Sequence, residues 1–582
     1  MGRVPADGSR VNPASLAKRA LFSLLLVLGL LGVVELVLRA RQVSSVSPFA
    51  RIAPAIADDR AGRYEAHPQR LYTLAPHFRH SPSHLGRDAT GDWPFRGRPP
   101  EPAPPGLLRV AVIGDSIAYG SSLDAADMPG SCLARSLAER GWTPDRVAVI
   151  SLGVPGYSTI QLDLLLAEAL GTLHPDAVVL WPAAWNDQAP AMSVPDLQLL
   201  VAHDGSTLGG WLRNHSRLFD ELTREKDDLP ATEIIEGWKR NRPPRGTRVP
   251  GGFVGAMIGF TLQRCARAGV PAVVLASAHP PQTAAEHPRT RWDADSVLDA
   301  ARMAKVPAVD AQALLDAKGL DPARCFVDYV HPSPEANALF GAALAEQLGP
   351  LLDARAAARG LPPAGTPSAS ALSILDAQPR AVPVLGDVPL HVTLSGWTRG
   401  ETLPAVIVGG APLIDVRAAG EHEVEGTLMA NAPGPHELVV QSATGCAWLP
   451  DAIAYREPAI RIEAPPGEAT RLVVAARPGD GVRVLVAAGR AAEPSWSPRG
   501  AYWLDDTARA LPGDRVADAQ GLALWTFDQA PPGTFLVQAL VAPAGEAPDE
   551  GLGSRWTSVV GLSAPTSSAA PAAPDPSSPG AR

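Results

Sequence analysis

Short, nearly all apolar runs alternate with amphipathic stretches between residues 108 and 352. Arg109–Ile113, Arg146–Leu152, Ala177–Trp181 and Ala272–Ser277 read as strands; Ser131–Arg140, closed by Gly141, and Gln161–Leu170, followed by Gly171, read as helices. Strands apolar on both faces and separated by helices predict an α/β domain with a parallel sheet covered on both sides. A last helix opens with Ser333 as N-cap, Pro334 at the first helical position and Glu335 at the positive end of the dipole. Leu339, Phe340, Ala343, Leu344 and Leu348 form its apolar stripe, and Gly349-Pro350 is expected to end it. Residues 190–250, with Pro and mixed charge, read as an insertion over the sheet.

Past residue 352 the period changes. An Ala/Pro/Gly/Ser linker (353–367) leads into short runs of alternating polarity: Pro389–Gly396, Ala405–Val408, His422–Met429 and His436–Gln441. A second set follows at Arg471–Ala475, Val482–Val486, Leu522–Phe527 and Phe535–Leu540. Period two with Gly and Pro between the runs predicts antiparallel β-sandwiches, one over 368–456 and another over 457–563. The Ser/Ala/Pro-rich end, 564–582, is expected to be disordered.

One stretch fits neither period. Residues 20–38 are apolar apart from Ser23 and Glu35 and, at about 1.5 Å per residue, span roughly the hydrocarbon thickness of a bilayer. Nothing before them could form a core to bury them. No A-x-A-like cleavage site follows closely, so an uncleaved signal anchor is expected, with 1–19 cytoplasmic. Arg39 and Arg41 follow the stretch, so the charge asymmetry is not clean. Residues 39–107, rich in Pro, Arg and His and without a sustained period, read as a membrane-proximal lead-in, and the remainder is expected outside the cytoplasm.

Composition narrows the field further. The 582 residues, 46% hydrophobic and 19% charged, allow several cored domains and exclude global disorder. A net charge of -9 without a basic block argues against nucleic acid as a partner. Cys132, Cys265, Cys325 and Cys446 are scattered, without C-x-x-C or Cys/His pairs, so neither a metal nor another cofactor is expected. Export permits a disulfide, but spacing selects no pairing and buried free thiols fit equally.

The chemistry enters at Gly114-Asp115-Ser116, where the first strand ends in a tight turn that delivers a hydroxyl to the sheet edge. Asp328-Tyr-Val-His331 supplies a carboxylate and an imidazole three residues apart. Hydroxyl, base and orienting acid are the set that acyl transfer through a serine needs. The G-x-S-x-G elbow of α/β-hydrolases is absent, because Ala118 stands where its second Gly belongs.

Residues 109–187 and 325–348 resemble the SGNH (GDSL-like) hydrolase family, in which four blocks supply Ser, Gly, Asn and His on a flavodoxin-like three-layer α/β/α fold. The blocks match in order at Gly114-Asp115-Ser116, Leu152–Ser158 with Gly153, Ala184-Trp185-Asn186-Asp187, and Asp328–His331. Trp93–Gly97 is similar to the lead-in of membrane-anchored bacterial members. The resemblance implies Ser116, Asp328 and His331 as catalytic residues, with an oxyanion hole formed by the N–H groups of Ser116 and Gly153 and the Asn186 amide. Gly153 is expected to let bare backbone approach the ligand. Two departures bear on substrate range and rate. Ser151 stands where the family has Asn, and Ala184 where it has Gly. Asp115 is expected to brace its turn, His174 and Trp181 to be structural, and Trp185 to be core. The sequence leaves open whether Asp187 orients Asn186 or sits in solvent, whether Tyr157 lines the pocket or anchors a loop, and whether His279, after a strand, approaches the C-terminal edge of the sheet. Residues 368–456 resemble an IPT/TIG immunoglobulin-like domain through Val384–Trp397, Ala405–Gly410 and Ala452–Tyr455. Such modules serve as spacers or as polysaccharide- or protein-contacting surfaces, and a spacer is expected.

The resulting expectation is a membrane-anchored, extracytoplasmic serine esterase acting on an ester-bearing small molecule, lipid or acylated glycan. An O-acetyltransferase of a cell-surface polysaccharide would use the same acyl-enzyme. A non-catalytic adhesion protein is the alternative from another class, and the intact Ser116, Asp328 and His331 argue against it.

Overall fold

The computed structural model describes residues 13–40, 64–67, 69–76, Phe95, most of 104–456 apart from short loops and 223–245, and strands between 459 and 563. Residues 1–12 and 564–582, and Trp93–Gly97 except Phe95, lie outside the described residues.

Helix α1 (Pro13–Ala40) carries the apolar stretch and is, among the described residues, the one helix long and apolar enough to cross a membrane. A hairpin follows, β1 (Tyr64–His67) paired antiparallel with β2 (Leu71–Leu74). Its Leu71, Tyr72 and Leu74, together with Phe95, are buried in the core of the α/β domain. The lead-in read as aperiodic thus contains a docked structural element, too short for its period to register.

The α/β domain runs through β3 (Leu108–Gly114), α2 (Ser116–Tyr119), α3 (Pro129–Glu139), β4 (Val147–Gly153), α4 (Thr159–Thr172), β5 (Ala177–Trp181) and α5 (Ala184–Gln188). The insertion contributes α6 (Asp196–Ala202) and α7 (Leu208–His215). Then come α8 (Gly251–Arg267), β6 (Ala272–Ala276), α9 (Arg289–Ala304), β7 (Ala308–Asp310) and α10 (Pro334–Ala358). The sheet order is β4-β3-β5-β6-β7, and every pairing is parallel. Alternation along β3 sends Leu108, Val110 and Val112 to one face, against Leu133 and Leu137 of α3 and Phe340 and Leu344 of α10. Ala111 and Ile113 face the other side, with Leu162 and Leu166 of α4, Ile258 of α8 and Val297 of α9. Burial of both faces accounts for the absence of a polar stripe in these strands.

Two expectations need correction. The last helix does not stop at Gly349-Pro350 but continues to Ala358. Pro350 lies on its exposed side, so only one backbone hydrogen bond is forfeited there. Leu352 and Ala356 stay buried beyond it, and Arg355 and Arg359 pair with the buried Asp176. The linker therefore begins after this helix, later than residue 353. A fifth strand, β7, has only three residues, too few to show a period.

The C-terminal region is β-rich, as its period predicts. Strands β8 (Ser373–Gln378), β10 (Pro389–Ser395), β13 (Ile414–Ala418) and β14 (Glu423–Thr427) form one sheet. A second contains β9 (Ala381–Pro383), β11 (Ala405–Val408), β12 (Ala411–Pro412), β15 (Gly434–Ser442) and β16 (Gly445–Arg456). Inward residues of both, such as Leu390, Val392, Val406, Leu438 and Tyr455, share a core, and strands from 470 to 542 add Val474, Val484, Trp525 and Val541 to it. The first β unit is no free spacer: Ala411 and Met429 pack on Ala125 and Met128, and Val439 and Cys446 pack on Leu107 and Ala148 of the α/β domain. All four cysteines are buried free thiols.

Candidate active site

The C-terminal ends of adjacent parallel strands converge on one edge of the sheet. Strand β3 ends at Gly114, and Ser116 opens the one-turn helix α2. Asp115 caps that helix: its Oδ1 accepts from the Ile117 N–H at 2.9 Å. Close approach requires the glycine, since a Cβ on Gly114 would lie 2.5 Å from the Ala118 Cβ. The sharp turn projects the serine side chain beyond the strand.

His331 comes from the segment before α10, anchored on both sides. The Val327 N–H donates to the His331 carbonyl at 2.9 Å, and the Ser333 Oγ accepts from the Ala336 N–H at 3.3 Å to cap α10. The imidazole bridges the two other members of the set: Nε2 lies 2.9 Å from Ser116 Oγ and Nδ1 lies 2.7 Å from Asp328 Oδ2. Asp328 Oδ1 accepts from the N–H groups of Val330 and His331, both at 2.8 Å. Burial pushes the Asp328 carboxyl up, but its bonds to the His331 ring and to these N–H groups outweigh burial and bring it below the usual carboxylate range. An ionised Asp328 fixes a proton on Nδ1, which leaves Nε2 as the acceptor for the serine proton.

Asn186 sits on α5 rather than in a loop, and is buried. Its Nδ2 donates to Asp115 Oδ2 at 2.7 Å, so one of its two amide protons is committed and the second is available to a ligand. Asp115 therefore braces its own turn with one oxygen and orients Asn186 with the other. Burial raises the Asp115 carboxyl to about 6, despite opposing bonds from Ile117 and Asn186 and the nearby His331.

Gly153 ends β4 in register with Gly114. A Cβ there would lie 2.2 Å from the Tyr119 backbone nitrogen. The glycine thus lets α2 pack on β4, a reason different from the ligand approach expected of it. The Ser151 side chain faces α3, where its Oγ lies 2.1 Å from the place a Cβ on Gly130 would occupy.

Two of the residues left open, Asp187 and Tyr157, act as braces. Asp187 is fully buried and accepts from the N–H and hydroxyl of Thr159 at the start of α4. Burial pushes its carboxyl up to about 8, against the bonds from Thr159. Tyr157 is buried, donates to the Tyr72 carbonyl and accepts from Arg70 Nη1 at 3.0 Å, so it anchors the lead-in hairpin. Trp181 is core: it packs edge-on against Phe340 and donates to Ser277 Oγ at 3.0 Å. Trp185 is half-buried, with its ring centroid 6.4 Å from that of the buried His279.

Some supporting residues had no signal in the sequence, Arg248 among them. Arg248, wholly buried in the insertion, pairs with Asp196 at 2.7 Å. It also donates to the Gly156 carbonyl at 2.6 Å and to Gln161 Oε1 at 3.0 Å. The insertion is thereby tied to the loop that follows Gly153. An arginine among the charged residues of an apparent loop carries no mark of such a role.

Residues 112–339 match the GDSL-like Lipase/Acylhydrolase family. Solved structures similar to the chain include the lipase/acylhydrolase from Enterococcus faecalis, at 16% identity over 42% of this chain and 95% of that one, with a TM-score of 0.27. The acetylxylan esterase Axe2 from Geobacillus stearothermophilus is similar at 15% identity over 42% of this chain and 94% of that one, with a TM-score of 0.28. No curated protein matches the chain. Residues 112–339 are therefore a GDSL-like lipase/acylhydrolase domain, and the chain is an ester hydrolase.

Proposed function

We propose that the chain is a membrane-anchored, extracytoplasmic serine esterase that cleaves an acyl or acetyl ester through an acyl-enzyme on Ser116. The observation that carries this reading is the continuous hydrogen-bonded path Ser116–His331–Asp328. As His331 Nε2 removes its proton, Ser116 Oγ bonds to the ester carbon and the carbonyl π pair moves onto oxygen. Collapse breaks the bond to the alcohol, which leaves with the proton from Nε2. Water then repeats the sequence on the acyl-enzyme and releases the acid. Asp328 stabilises the imidazolium at both stages.

The oxyanion is assigned to the Ser116 and Gly153 N–H groups and the free amide proton of Asn186. Loss of one such donor costs about 3 kcal/mol in the barrier, and the Asp115–Asn186 bond supports this role by fixing the amide beforehand. The sheet order supports a flavodoxin-like arrangement, in which ligands sit at the carboxyl ends of the strands. Helix α1 is read as the anchor, with the lead-in and the α/β domain (108 to about 358) on the outer side of the membrane, a reading supported by its length and apolar composition. The first β unit is assigned to the IPT/TIG class, a reading supported by its two sheets and the buried Trp397 and Tyr455. The substrate class is an ester-bearing small molecule, lipid or acylated glycan.

Hydrolysis of p-nitrophenyl acetate by the purified chain tests the reaction. Ser116→Ala is expected to lower kcat by at least about 10⁴-fold, leaving the residue of catalysis that binding and an oxyanion hole provide. Full activity in that variant would overturn the assignment.

A further inference from the structure

We infer that Asn431, in the first β unit, is a positioning residue for the ester-cleaving site. It clamps the segment around Ala126 and so holds Ser116 and His331 at bonding distance. The inference rests on the reading of Ser116 as the nucleophile.

Asn431 lies between β14 and β15 and is wholly buried. Its Oδ1 accepts from the Ala126 N–H at 2.9 Å and from the Ala432 N–H at 3.0 Å. Its Nδ2 donates to the carbonyls of Val408 at 3.2 Å and Gly409 at 3.1 Å. Two bonds accepted and two donated use the donors of the amide and both lone pairs of its oxygen. One of the four crosses to the α/β domain. Apolar contact between Met429 and Ala411 on one side and Ala125 and Met128 on the other keeps water from that bond. Gly410 seats the contact closely, with room for a Cβ taken by Ser131 Oγ at 2.1 Å.

The clamped segment joins both halves of the site. It leaves α2 directly: the Ser121 N–H donates to the Ser116 carbonyl at 3.1 Å. At its far end the Asp127 carbonyl accepts from Asn337 Nδ2 at 3.3 Å, in the first turns of α10. That helix is capped by Ser333, two residues after His331. Ser116 and His331 come from opposite ends of this bridge, and their 2.9 Å contact depends on how the bridge is held. The Ala126 carbonyl accepts from Arg135 Nη1 of α3, so of the two peptides flanking Ala126 one is held by the β unit and the other by the α/β domain. In Asn431→Ala the buried Ala126 N–H loses its acceptor, and the bridge relaxes toward water.

The test uses the full-length chain and its wild-type, Asn431→Ala, Asn431→Asp and Cys446→Ala forms. Active sites are titrated with a fluorophosphonate, and kcat and KM are read with p-nitrophenyl acetate. Asn431→Ala is expected to lower kcat per titrated site by about tenfold with KM changed by less than about twofold, because misplaced reacting groups slow chemistry more than binding. Asn431→Asp keeps an acceptor for Ala126 but loses both donors into the β unit. It is expected to restore most of kcat while lowering Tm. Cys446→Ala, at the other contact between the domains, is expected to keep wild-type kcat. If Asn431→Ala does not fold, Met429→Ala loosens the same contact and is expected to lower kcat likewise. Wild-type kcat per site in Asn431→Ala, with only Tm lowered, would overturn the inference, as would equal kcat losses in the Ala and Asp variants. A wild-type chain that takes no label would instead refute the underlying reading of Ser116.

Discussion

At the scale of single residues, three carboxylates, two of them buried, have three different tasks at the site. Asp328 is held ionised by donors and is hydrogen-bonded to His331 Nδ1. Asp115 divides its two oxygens between the α2 cap and Asn186. Asp187 has no reacting group to serve and instead staples α5, which carries Asn186, to the start of α4. Its carboxyl titrates near 8 in the folded chain against 3.8 in its ordinary state, so the folded chain holds the extra proton across that interval. Stability attributable to Asp187 is therefore present at the acid end of the interval and lost as pH rises through it. Asp187→Asn cannot ionise. It is expected to flatten the fall in Tm between about pH 5 and pH 8, measured by thermal unfolding across that range; an unchanged slope would contradict this assignment.

Legibility at this scale divides cleanly. Ser116, Asp328 and His331 sit in local motifs whose chemistry is evident from neighbouring residues, whereas Gly153 and Asn186 are singled out by the family resemblance. Arg70, Arg248 and Asn431 act through partners 87, 52 and 305 positions away, and no local pattern marks such a pair. Asp115 was half legible: its bond to Ile117 follows from turn chemistry, whereas its bond to Asn186 depends on how β3 and β5 lie side by side.

At the scale of elements, glycines set the spacing on which the site depends. Helix α2 lies against the end of β4 because Gly153 has no side chain. Gly153→Ala must displace the backbone at Tyr119, one turn from Ser116, and is expected to cost about 1–3 kcal/mol in stability. Kinetic assay of the same variant is expected to show a larger fractional loss in kcat than in the folded fraction; equal losses would mean that α2 does not transmit the strain. The four longer strands of the parallel sheet were legible, as was the helix cap at Ser333. The short β7 and the lead-in hairpin were not, since three or four residues cannot express a period. The helix end at Pro350 failed for a different reason. Tertiary burial of Leu352 and Ala356, with the Asp176 ion pairs, outweighs one lost backbone bond.

At the scale of the whole molecule, an apolar N-terminal helix precedes an α/β domain to which a β-rich region is docked at two places. The docking was invisible in the sequence because each contributing residue, such as Ala125 or Val439, is also an ordinary core residue of its own element. If α1 anchors the chain with the remainder outside, trypsin added to intact spheroplasts digests the β-rich region. Full protection of that region would place it in the cytoplasm and refute the orientation.

The most direct measurement is the site of covalent modification. The purified chain is treated with a fluorophosphonate, digested and mapped by mass spectrometry. The Ser116–His331–Asp328 path predicts one phosphonylated peptide, modified at Ser116, and a rate of labelling that falls by orders of magnitude in His331→Ala. Adduct on another serine, or equal labelling of Ser116 in His331→Ala, would contradict the account.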